Sequence, residues 1–378
     1  MKVYLDNAAT TPMAKEVADE VAPFISTYFG NPSSTHYFGR QTRNAIEITR
    51  RKIADSINAK SNEIIFTSGG TEADNMALRC AVTDLNVERI ITSKLEHHAV
   101  GHTAENLKEQ FNTEITYLST DKLGNPSINE LENLLSEGKK TLVSLMHANN
   151  EIGTLLPIER VANLCSKYKN VYFHSDTVQT MGHYPFNVEQ LKIDFLTCSA
   201  HKLHGPKGIG FLYVNKSISI NPLITGGSQE RNQRGGTENL FGIVGLGKAI
   251  ELSFSNLETH RNHVENLKKK MIKGLKEIDE RISFNGEISP ERSLYTVLNV
   301  CFPKETCNSM LLFSLDIHGI AASGGSACSS GSNIGSHVLS ELPNQENCQC
   351  VRFSFSRYNT EHEIDYTLEK IKKIVKKT

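Results

Sequence analysis

A lysine stands inside the stretch Ser199-Ala200-His201-Lys202-Leu203-His204-Gly205-Pro206-Lys207-Gly208. An apolar run, Phe195-Leu196-Thr197-Cys198, stops just before it, and Gly205-Pro206 and Gly208 break the chain before a second run, Ile209 to Val214. The pattern predicts a lysine held in a turn at the end of a buried strand. Desolvated there, its amine loses a proton readily and can form an imine with a carbonyl. A loop lysine bracketed by turn residues is the competing reading. His174-Ser175-Asp176 ends another apolar run, Val171-Tyr172-Phe173, and Gln179 follows three residues later. A strand-end acid and a strand-end lysine can fix the two ends of a flat, electron-accepting ring.

Other strand ends carry residues of the right types. Glu63 to Ser68 reads as a strand running into Gly69-Gly70-Thr71-Glu72, a glycine turn that opens a helix. Free N–H groups at such a helix start can bind an anion, with Gly70 admitting it closely and Thr71 adding a hydroxyl; an ordinary turn capped by Thr71 is the alternative. Arg89 to Ser93 leads to His97-His98, and Thr141 to Met146 leads to Asn149-Asn150. Strands alternating with helices from about residue 60 to 215 predict a mostly parallel sheet covered on both faces. Ligands gather at the carboxyl ends of such strands, and Thr71, His97, Asn150, Asp176 and Lys202 each follow an apolar run directly.

The elements around this sheet follow from periodicity. A helix carrying Val17, Val21 and Phe24 precedes one from about Gly39 to Ile57, with Ala45, Ile48, Ile53 and Ile57 inward. Gly226 to Asn239 is the longest polar, glycine-rich passage, and Asn239 opens a helical region reaching about Ile278. A strand Tyr295–Phe302, a helix Lys304–His318, a strand Ile320–Ser323, a strand around Arg352 and a terminal helix from Glu361 make a second unit. We expect a large domain over 15–250, with 1–14 and 251–378 forming a smaller one. Between these last strands lies Ser323-Gly324-Gly325-Ser326-Ala327-Cys328-Ser329-Ser330-Gly331-Ser332. Small neighbours give Cys328 nothing to pack against, so it is expected on an exposed, swinging loop.

Composition narrows the class. At 378 residues, with 38% hydrophobic and 22% charged residues and a net charge of -1, the chain is an ordinary globular one. That charge offers no electrostatic reason for nucleic-acid or membrane binding. No apolar run approaches the roughly 20 residues a membrane span needs, and Tyr4-Leu5-Asp6-Asn7 follows Met1 almost at once, so a cytoplasmic protein is expected. The eight cysteines are scattered, which in a reducing compartment reads as mostly small buried hydrophobes. Cys348-Gln349-Cys350 is spaced too tightly for a zinc pair, and no metal site is assigned.

Taken together, Lys202, Asp176 and the stretches from Tyr4-Leu5-Asp6-Asn7-Ala8-Ala9-Thr10-Thr11-Pro12 to Arg352-Phe353-Ser354 resemble the pyridoxal-phosphate (PLP) cysteine desulfurases of fold type I. These belong to the class-V aminotransferases, in the branch that donates sulfur to iron–sulfur clusters. The resemblance covers nearly the whole chain and implies an α/β fold, with a mostly parallel seven-stranded sheet between helices and a smaller α+β C-terminal domain. It implies that Lys202 bonds PLP covalently and acts as base, that Asp176 keeps the pyridine nitrogen protonated, and that His97 stacks on the ring. Asn150 and Gln179 would lie near the phenolic oxygen. Gly70, Thr71, Ser199 and His201 would hold the phosphate, with Thr237 from the other subunit of a homodimer with shared sites. Asn31, Asn150 and Arg352 would bind L-cysteine; a structural ion pair is the other reading of Arg352. Cys328 would carry a persulfide to a protein acceptor, such as an iron–sulfur scaffold or a tRNA-thiolation protein. Two departures stand out: Asp176-Thr177-Val178-Gln179 replaces the usual Asp-Ala-Thr-Gln, and Gly324 replaces a serine before Cys328. A selenocysteine lyase would share every PLP residue. An aminotransferase of similar fold would not need Cys328, and a non-catalytic docking protein would need neither Lys202 nor Asp176.

Overall fold

In the computed structural model, which describes residues 1–307, 310–324, 336–343 and 347–375, the chain opens with β1 (Val3–Tyr4), α1 (Lys15–Ser26) and α2 (Tyr37–Ser56). Alternation then begins: β2 (Ile64–Thr67), α3 (Gly70–Thr83), β3 (Arg89–Thr92), α4 (His98–Phe111), β4 (Glu114–Tyr117) and α5 (Ile128–Leu135). It continues through β5 (Thr141–Ser144), α6 (Ile158–Cys165), β6 (Val171–Asp176), α7 (Val188–Leu191), β7 (Phe195–Ser199) and β8 (Gly210–Val214). These strands form one seven-stranded sheet in the order β2-β8-β7-β6-β5-β3-β4. Only β8 runs against its neighbours, pairing antiparallel with β2 and β7.

The sheet is apolar on both faces because successive side chains point to opposite sides. Ile64, Phe66, Ile91 and Val143 join one core, and Ile65, Ile90 and Leu142 the other. Helices must cover both faces, and they do: α2 lies on the first side, α3 and α4 on the second. All parallel strands therefore end along one edge, where the site residues were expected.

After α8 (Gln229–Asn232) come α9 (Leu240–Ser255) and α10 (Leu257–Ile278). They are the expected long helical region, broken at Asn256 and bent by 76°. Among the described residues no single helix is long and apolar enough to cross a membrane. The remaining elements are β9 (Ser283–Asn285), β10 (Val297–Pro303), α11 (Leu311–Ile317), β11 (Ile320–Ala321), α12 (His337–Ser340), β12 (Cys348–Ser354) and α13 (Glu361–Ile374). β12, β10 and β9 form an antiparallel sheet, and β1 pairs in parallel with β11. Their core gathers Val3 and Leu5 with residues of α10, β10, β12 and α13.

Three details differ from expectation. On α2, Ile46 is buried and Ile48 exposed, because Thr42, Ile46, Thr49 and Ile53 form the stripe that faces inward. The single helix expected over Lys304–His318 is a short turn, Lys304–Thr306, and then α11; Asn308 and Ser309 lie outside the described residues. Cys301 and Cys348, taken as separate small hydrophobes, form a disulfide across β10 and β12, with Cα atoms 5.2 Å apart. The pair is diagonal across the ladder, where Cys301 stands opposite Cys350 and Cys348 opposite Pro303, and a spacing of 47 residues does not reveal it.

Candidate active site

The strand ends enclose a cavity of about 220 Å3. Gly70, Thr71, His97, Asn150, Asp176, Gln179, Ser199, His201, Lys202 and Arg352 all line it, as expected. Most sit at or just beyond the start or end of an element, while Arg352 lies within β12. Asp176 is the last residue of β6 and Ser199 the last of β7, and Lys202 closes the short turn Ala200–Lys202 that follows. His97 is the N-cap of α4, its Nδ1 accepting from the Ala99 amide at 3.2 Å.

At the anion end, Gly69 has φ +153 and no side chain caps the start of α3. A Cβ at Gly70 would stand 2.7 Å from Val178 Cγ2, so the turn needs glycine to keep its amides clear. Uncapped amides at a helix start are suited to a phosphate. His201 Nδ1 is engaged by Thr10 Oγ1 at 3.1 Å, leaving Nε2 for a ligand.

At the other end, Asp176 is buried and accepts one bond, from the Val178 amide at 2.8 Å. Burial, then the charge of Asp74, pushes it up to about 7, against that amide and the charges of His174 and Lys202. A cationic ring nitrogen would return it to the ionised form. His97 is pushed down to about 4 by burial, then by Lys202 and its histidine neighbours, so its ring is neutral and can lie against a flat ligand.

Lys202 Nζ donates to the carbonyl of Ala8, and to that of Ala9 at 2.8 Å. Gln179 Nε2 also reaches the Ala8 carbonyl, at 3.1 Å. The segment carrying Ala8 and Ala9 thus roofs the site. Arg352 is 1% exposed and held by Asp6 Oδ1 at 2.8 Å and the Asn150 carbonyl at 2.9 Å. It is an ion pair and a cavity wall at once, and its Nε has no hydrogen-bond partner among the described residues.

The set fits PLP: an uncapped glycine cradle, a lysine, a neutral histidine, and a buried carboxyl with room for a cation lie around one cavity. Asn31 and Thr237 are exposed and outside the cavity walls; Asn31 Oδ1 accepts from the Ser33 amide at 2.9 Å. Cys328 lies outside the described residues.

Two features escaped the sequence reading. One is Asp74, a buried acid among the cavity walls. The other is Arg50, whose Nη1 and Nη2 bind Glu230 at 2.6 and 2.8 Å, with both side chains under 5% exposed. Glu230 also accepts from the Phe66 amide on β2, and Arg234 pairs with Glu72 at 2.9 Å. The polar, glycine-rich passage is therefore tied to β2 and α2 through Glu230 and to α3 through Arg234. Arg50→Ala would leave Glu230 charged and unpaired, so a loss of about 3–5 kcal/mol is expected by denaturant unfolding.

The chain matches the aminotransferase class-V family over residues 3–367, and it belongs to that family. A cysteine desulfurase IscS from Dictyoglomus turgidum is 46% identical over 383 residues, 100% of this chain and 95% of the relative. A solved NifS-like protein superposes with a TM-score of 0.91 at 37% identity, covering 99% of both chains. SspA, solved in complex with cysteine, gives 0.81 at 33% identity over 95% of this chain and 100% of that one. Within the class-V aminotransferases, then, the chain is one of the PLP-dependent cysteine desulfurases.

Proposed function

We propose that the protein removes sulfur from L-cysteine, releases L-alanine, and holds the sulfur as a persulfide on Cys328 for a protein acceptor in iron–sulfur cluster assembly. The observation that carries this is the convergence of Lys202, Asp176 and neutral His97 on one cavity of a desulfurase fold.

PLP, when bound, supplies an electron sink for the substrate's Cα. The amides opening α3, with Thr71, Ser199 and His201, would hold its phosphate. Asp176 would keep the ring nitrogen protonated, and His97, Asn150 and Gln179 would line the space for the ring. Lys202 Nζ takes the Cα proton and later returns a proton to carbon. Arg352, already fixed by Asp6, and Asn31 orient the substrate carboxylate. The Cys328 thiolate attacks the substrate sulfur, forming an S–S bond as the C–S bond breaks. The electron pair of that bond remains with the three-carbon fragment, which is protonated to alanine.

We propose further that two copies share their sites, a reading supported by Thr237, which sits on an exposed loop outside its own chain's cavity. Exposed Phe29 and Phe38, stacked 5.5 Å apart, add an apolar patch that a second copy would cover. The test is complementation. Lys202→Ala subunits and subunits lacking the loop around Thr237 should each be inactive, and mixing them should recover alanine formation. One heterodimer site would then hold two intact halves. Absence of recovery, with subunit exchange demonstrated, refutes the shared site.

A further inference from the structure

One turn beyond Thr71, α3 carries Asp74 on the same inward stripe as Ala73 and Ala77. It is 1% exposed, and it lines the cavity beside Asp176. One oxygen from each carboxyl and a ring nitrogen of His97 lie within 4.8 Å of one another. Asp74 Oδ1 has no hydrogen-bond partner among the described residues.

Behind Asp74 stands His174, neutral because burial pushes it down to about 4. Its Nδ1 lies 2.9 Å from Ser144 Oγ, and its Nε2 lies 3.2 Å from Thr197 Oγ1 and 3.4 Å from Asp74 Oδ1.

Two carboxylates this close, both out of water, cannot both ionise at neutral pH. Burial raises Asp74 to about 7, and burial plus the Asp74 charge does the same to Asp176. The other groups facing the pair are Glu96, which burial holds well above its usual range, neutral His97 and His174, the buried Cys198 thiol, and Lys202.

We propose that Asp74 is a positioning residue of the reaction: with Asp176 it keeps one shared proton at the inner end of the cavity, ready for the pyridine nitrogen of PLP. On cofactor binding that proton leaves the carboxyl pair, which goes from one negative charge to two, while the nitrogen gains one positive charge. Net charge is conserved, and no proton is drawn from solvent for this step. The inference rests on Asp176 being the nitrogen's partner.

The test is the proton count on binding. Full-length protein stripped of cofactor is titrated with PLP in a calorimeter, in buffers of different ionisation enthalpy. At pH 7, Asp74→Asn removes a like charge from beside Asp176 and so favours its ionised form, against the burial that still raises it. The variant should take up more protons per site than the parent. Asp74→Leu offers a second side chain that does not titrate, and should shift the count the same way. As pH rises and the parent pair itself loses its proton, the difference between parent and variants should shrink. A purely structural role for Asp74 predicts no such pH-dependent difference. Equal counts at pH 7 for the parent and both variants, with Asp176→Asn changing the count, overturn the role of Asp74 alone. An unchanged count in Asp176→Asn overturns the assignment of Asp176, and this inference with it.

Discussion

Lys202→Ala is expected to abolish the visible absorption of lysine-bound PLP and turnover of cysteine together. The side chain stands in the turn after β7 with its amine against the carbonyls of Ala8 and Ala9. Among the described residues no other lysine lines the cavity, so no second amine there can take over at the substrate Cα. Losing a positioned proton-transfer group alone typically costs about 10² to 10⁴ in rate, and loss of the covalent attachment adds to that. The fold should survive, since Lys202 is only partly buried and contributes nothing to either apolar core. Unfolding near the parent temperature with no absorption band and no alanine is the expected outcome. A variant that kept the band would remove Lys202 from the chemistry.

The expected positions of Thr71, His97, Asn150, Asp176 and Lys202 were legible because each ends an apolar run in a parallel α/β pattern. Topology then carries all five to one sheet edge. Asp74 was not legible in that way. In Thr71-Glu72-Ala73-Asp74-Asn75 it looks like a first-turn acid suited to the helix dipole. The available signal was its place on a stripe with Ala77 and Ala81, where an acid interrupts an otherwise apolar face. Arg50 and Glu230 are 180 residues apart, and each sits in sequence that reads as solvated. Only the packing of α2 against β2 and the loop before α9 brings them together. Ile46 and Ile48 show a simpler limit: α2 offers two adjacent candidate stripes, and the close approach of α9, where Gly247 faces Thr49, selects one.

Cys328→Ser is expected to stop alanine formation from cysteine while leaving PLP bound and its absorption unchanged. Two residues beyond β11, the backbone of Ser323 pairs with that of Arg352, itself a wall of the cavity. Cys328 follows five positions after Ser323, and an extended chain of that length spans at most about 18 Å. The chain that carries Cys328 thus sets out from beside a wall of the cavity. Breaking the C–S bond needs a group to accept sulfur, and a thiolate does this where a hydroxyl does not. Selenium leaves carbon more easily, so the serine variant should keep much of its activity on selenocysteine, whereas Lys202→Ala should lose both substrates. In the parent, cysteine added without reductant should place one extra sulfur on Cys328 by mass spectrometry of its peptide, and none on Cys307 or Cys350. Near-parent turnover of cysteine by the serine variant would make Cys328 a bystander and the persulfide route wrong.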